Sequence, residues 1–214
     1  MKIKSKIKNE VITINYKIHL NSKIIIYLLT FFALSSLANA HIIPGTSFTN
    51  GALHPLTGFD HLLAILAVGI IATQLGGKAI WIVPLTFISA MIFGGIVGIL
   101  GFQISFVELG IALSIIFSGL AIIFSKKLPA KITLVCIGLA AFFHGHAHGS
   151  EMAVIFNPVI YMLGFVLSTA VLHISGIFIG QYAQKSELRA TILKFTAAGI
   201  SFTGIILLFG FIAA

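Results

Sequence analysis

Two short stretches hold most of the ligand chemistry in this 214-residue chain: HPLTGFDH at 54–61 and AFFHGHAHGSEM at 141–152. The first offers His54, Asp60 and His61, the second His144, His146, His148 and Glu151. Imidazole nitrogen combined with carboxylate oxygen is a donor set for nickel, cobalt or zinc. Copper(I) is a poor match, because no cysteine or methionine cluster accompanies these residues and the one cysteine, Cys136, lies inside an apolar run. On a helix, His144, His148 and Glu151 fall within about 60° of one another, while His146 points to nearly the opposite side. His54 and His61 share a face, yet a regular helix separates them by about 10 Å along its axis, whereas ligands of one ion sit about 2.0–2.2 Å from it. Either the helix unwinds near Gly58, or each histidine joins ligands from the second stretch. Asp60 lies about 100° round from His61, as a ligand or as a partner that orients an imidazole.

The elements that must position these groups are transmembrane. Hydrophobic residues make up 58% of the chain and charged ones 8%, against roughly a quarter charged in a soluble domain. Mean hydropathy is +1.12, and runs of about 20 apolar residues recur, each long enough to cross a bilayer. The expected fold is an all-α, polytopic membrane helical bundle. Its spans run roughly 53–75, 79–100, 105–125, 131–149, 158–180 and 190–212, with short connections that predict antiparallel packing between neighbours. In the first span, Pro55 suits the first helical position and makes His54 roughly the cap. Gly94 and Gly98, and again Gly176 and Gly180, have the spacing of close helix–helix contact.

Residues 1–40 read as a signal peptide: six lysines, an apolar run from Ile24 to Leu37, then Ala38-Asn39-Ala40 as a cleavage pattern. The domain division is therefore 1–40 leader and 41–214 six-helix transmembrane domain. Net charge is +8, but the basic residues lie in the leader and in short loops, so nucleic-acid binding is excluded. Lys78, Lys126, Lys127, Lys131, Lys185 and Arg189 all fall in loops on one side, and Lys194 just inside the adjoining helix. The positive-inside rule makes that side cytoplasmic and puts both ends of the mature chain outside. His61 then lies roughly 12 Å and His144 roughly 8 Å below the outer surface, so two helices carry imidazoles to a similar depth. Ionisable groups concentrated at one depth are too costly in lipid for packing alone.

Three further residues are candidates. Glu108 sits in the outer turns of the third span, and His173 lies past the midplane of the fifth, where it can be a ligand or only bond a neighbouring helix. His41, if cleavage makes it the first residue, offers an amine and a ring nitrogen to one cation.

The stretches HPLTGFDHLLAILAVGIIATQLGGKAIWIVPLTF (54–87) and FHGHAHGSEM (143–152) resemble the HupE/UreJ membrane proteins, accessory to hydrogenase and urease. The resemblance extends over the whole mature chain. It implies permeation of nickel, and of cobalt in some members, across the bacterial inner membrane to supply the maturation of nickel enzymes. By motif it implies metal binding at His54, Asp60, His61, His144, His146, His148 and Glu151. Related nickel/cobalt transporters carry H-x4-D-H, whereas five residues separate His54 from Asp60 here. No Walker A motif is present, so this chain does not itself use ATP. The expected function is secondary permeation rather than enzymology. The rivals are an intramembrane zinc hydrolase and a metal-binding subunit without flux.

Overall fold

The computed structural model describes residues 46–125, 128–152 and 157–213, with the side chains of Phe59, Asp60, Glu151 and Met152 left aside. The proposed leader and His41 lie outside the described residues. Within them the chain forms seven α-helices and no strands: α1 Ser47–Thr57, α2 Phe59–Leu75, α3 Ala79–Ile99, α4 Val107–Phe124, α5 Ala130–Met152, α6 Pro158–Ala183 and α7 Glu187–Ala213. Five of these, α3 to α7, are long and apolar enough to cross a membrane. Helices α1 and α2 reach that standard only as a pair, bent by 75° at their junction.

The bent pair corrects the expected first span. The helix starts at Ser47, where the Thr46 hydroxyl accepts the N–H of Thr49 at 3.3 Å. Pro55 therefore stands in the last turn of α1, and His54 is not a cap. Thr46 supplies the side-chain oxygen that a helix start needs, which Pro55 cannot. Pro55 has no N–H to donate back along the helix, and Gly58 follows in an extended conformation (φ −83°, ψ 108°). The chain restarts at once, with the Leu62 N–H bonding the Gly58 carbonyl at 2.9 Å.

The second correction concerns packing. Chain neighbours are not the closest partners. The tightest pairs are α3 with α5, α4 with α7, and α6 with both α1 and α2, while α5 scarcely meets α6. Small residues decide this, because without a hydrophobic drive between helices in lipid, close backbone approach carries the association. A Cβ at Gly94 or Gly98 would overlap the Phe142 or His146 carbonyl of α5, and one at Gly145 or Gly149 would overlap Met91 or Gly95 of α3. Gly51 and Gly164 do the same between α1 and α6, and Gly69 and Gly176 between α2 and α6. The outward faces carry Trp81, Leu85, Phe93 and Phe178 among other exposed apolar side chains, as lipid requires. Replacing Gly98 with valine forces overpacking at a backbone contact and should cost about 1–3 kcal/mol. A lowered thermal midpoint in detergent checks this; an unchanged midpoint would mean the α3–α5 contact gives way freely.

Candidate metal centre

The break at Gly58 turns two histidines of one sequence stretch toward a common point. His54 lies in the last turn of α1, where its carbonyl accepts the Gly58 N–H at 3.2 Å and the Thr57 hydroxyl at 3.1 Å. His61 lies in the first turn of α2. The third member, His148, comes from the far end of α5 and is buried. One ring nitrogen from each of the three lies within 4.8 Å of the other two.

The closest approach is 2.9 Å, between Nε2 of His61 and Nε2 of His148. Two nitrogens each about 2.1 Å from one ion stand about 3.0 Å apart at a right angle and about 3.4 Å apart at a tetrahedral angle. The observed spacing is a hydrogen bond between the two rings, and it is short enough for both nitrogens to reach one ion in its place. His54 completes the group, its ring centroid 4.5 Å from that of His148 and 5.6 Å from that of His61. Phe165 of α6 forms the wall, 5.0 Å from His148 and 5.8 Å from His54, with Tyr161 one turn away at 6.1 Å from His54. These aromatic rings exclude water on one side of the imidazoles. Sequence reasoning passed over both, although their i, i+4 spacing on an apolar helix was the available signal.

The other candidates divide. His144 stands beside the cluster, its ring 5.4 Å from that of His61. Its Nδ1–H donates to the Ala140 carbonyl at 2.8 Å, which leaves the lone pair on Nε2. His146 is on the opposite side of α5 and does not join. Its Nε2 donates to the Phe102 carbonyl at 2.7 Å, and it lines a cavity of about 680 Å³ together with Gln103, Ser105 and Glu108. Glu108, exposed in the first turn of α4, therefore lines the same open pocket as His146 and not the three-histidine cluster. His173 is buried deep in α6, edge-on to Phe87 with ring centroids 5.1 Å apart. Asp60 immediately precedes His61 in α2, and Glu151 lies three residues past His148 in α5; their side chains are outside the described set.

A protein-family model described as HupE / UreJ protein matches residues 29–207. Protein HupE of Rhizobium leguminosarum bv. viciae is 42% identical over 146 residues, which is 68% of this chain and 76% of that protein. No solved structure matches the chain.

Proposed function

The chain belongs to the HupE / UreJ family, and from that membership we propose that it is a secondary permease importing nickel, with cobalt as an alternative cargo. The family consists of accessory, permease-like membrane proteins rather than enzymes. One observation carries the reading beyond family membership: imidazoles from α1, α2 and α5 converge within 4.8 Å. Three imidazole nitrogens from three separate helices suit capture of a divalent ion more than they suit packing. In this reading residues 1–40 are a leader and 41–214 the transport domain, set in the bacterial inner membrane with both mature ends periplasmic.

Hydrated cation reaches the cluster from the outer face and exchanges water for His54, His61 and His148. His144 stands ready as a fourth imidazole. Asp60 and Glu151 supply carboxylates that balance the charge, directly or by orienting the rings. His146 and Glu108 line a separate pocket on the other side of α5, away from the three-histidine cluster. An inside-negative potential of 100 mV stabilises a divalent ion within by about 4.6 kcal/mol, equivalent to roughly three decades of accumulation. No other energy source is needed. The delivered ion would pass to proteins that mature nickel enzymes.

The test is uptake of radioactive nickel into proteoliposomes under an imposed inside-negative potential. Accumulation well above protein-free vesicles supports the permease; tight binding with no influx points to a metal-binding accessory subunit. A second expectation concerns acidity. Metal ligation needs an unprotonated imidazole. Protons and the ion compete for the same nitrogens, so influx at constant potential should fall as the medium is acidified from about pH 7.5 to about 5. A flat profile over this range would remove the histidines from the ion's path.

A further inference from the structure

Helix α6 carries Tyr161, Phe165, Thr169 and His173 at four-residue intervals, so they lie on one slowly turning face. The upper part of that face is the wall of the three-histidine cluster, since Phe165 packs on His148 and His54. Thr169 and His173 continue it inward, one and two turns deeper, with His173 about 12 Å along the axis from Phe165.

Both side chains are buried, Thr169 at 0% and His173 at 1% exposure. Among the described residues, Thr169 Oγ1 and both ring nitrogens of His173 have no hydrogen-bond partner. Their neighbours by type behave otherwise. Thr73, Thr86, Ser118, Thr133 and Ser175 each donate to the carbonyl four residues back. His144 and His146 are each held by a backbone carbonyl. An unsatisfied buried polar group costs about 1–3 kcal/mol, which leucine or phenylalanine at the same place would avoid. Ionisable side chains inside a helical bundle mark ion paths far more often than they serve packing.

We propose that His173 and Thr169 form a second, inner station for the divalent cation, reached after it leaves the three-histidine cluster past the Phe165 ring. This rests on the permease reading. One imidazole and one hydroxyl bind more weakly than three imidazoles, so the inner station holds the ion briefly and passes it on. Polar groups continue in the cytoplasmic direction: the Thr73 hydroxyl shares its one hydrogen between the Gly69 and Ile177 carbonyls, at 3.1 and 3.2 Å, and Gln184 Nε2 donates to the Thr73 carbonyl at 3.4 Å. Phe165 thus stands between two ion-binding levels as the local barrier.

The experiment combines equilibrium nickel binding in detergent with nickel influx into proteoliposomes, for wild type, His173→Ala and Thr169→Val. A station used only in transit lowers maximal influx without weakening capture, so His173→Ala should keep nickel affinity within about twofold while maximal influx falls at least about tenfold. Thr169→Val should lower influx in the same direction with affinity again preserved. His173→Cys in a Cys136→Ser background supplies the direct readout: cadmium, a thiophilic divalent cation, should protect the introduced thiol from alkylation and be carried inward. Wild-type influx with His173→Ala at the same rate overturns the inner station and leaves the permease intact. Reduced influx in His173→Ala with no cadmium protection of the thiol also overturns it, as a structural role. Absent influx in wild type instead overturns the permease reading, and the station with it. If His173→Ala loses nickel binding through misfolding, the cysteine variant decides.

Discussion

His148→Ala is expected to abolish nickel capture and influx together, each by about a hundredfold or more, since even partners that only orient a ligand cost ten- to a hundredfold when removed. His148 meets both His61, at 2.9 Å between ring nitrogens, and His54, at 4.5 Å between centroids. Its loss therefore removes the one member of the three-histidine cluster that α5 supplies. His146→Ala is the control within the same motif, because its ring bonds the Phe102 carbonyl on the other face of α5. Nickel affinity at the cluster should change little in that variant. Equilibrium titration and influx measured on the same preparations check both. Equal losses in the two variants would show that motif membership, not the geometry of the cluster, governs binding.

The second large effect removes no ligand at all. Pro55→Ala combined with Gly58→Ala should favour one continuous helix across the break, since proline costs about 3 kcal/mol and glycine about 1 kcal/mol relative to alanine in a helix interior. Seven residues along a straight helix would then carry His54 and His61 about 10 Å apart, beyond what one ion spans. Nickel affinity should fall at least about a hundredfold although every imidazole is present. Binding as tight as wild type would show that the bend is not what assembles the centre.

The contrast between these two regions explains what could be read in advance. Five spans were legible because a run of twenty apolar residues has few alternatives in a bilayer, and their ends fall within a few residues of those expected. The opposite orientation of His146 relative to His144 and His148 followed from helical geometry alone. The first span was harder. Periodicity could show only that a regular helix keeps His54 and His61 apart, leaving two solutions, and Thr46 as the cap was hidden behind a polar segment that does not look membranous. Which helices touch was not legible from loop length either. Backbone contact at Gly94, Gly145, Gly51 and Gly164 chose the partners, and glycines separated by 51 or 113 positions carry no mutual sign in one sequence. Phe165 and Thr169 were passed over for a related reason: each is ordinary alone and acquires meaning only from what stands across from it.

The glycine contacts bear on how the ion could be let go. Backbones that touch resist tilting or sliding independently, so the contact of α3 with α5 and the contacts of α6 with α1 and α2 mark out two groups of helices. His54 and His61 ride on the second group, His148 on the first. The three imidazoles therefore come from both groups, and in the permease reading a small rocking of one group against the other would separate the ligands without unfolding any helix.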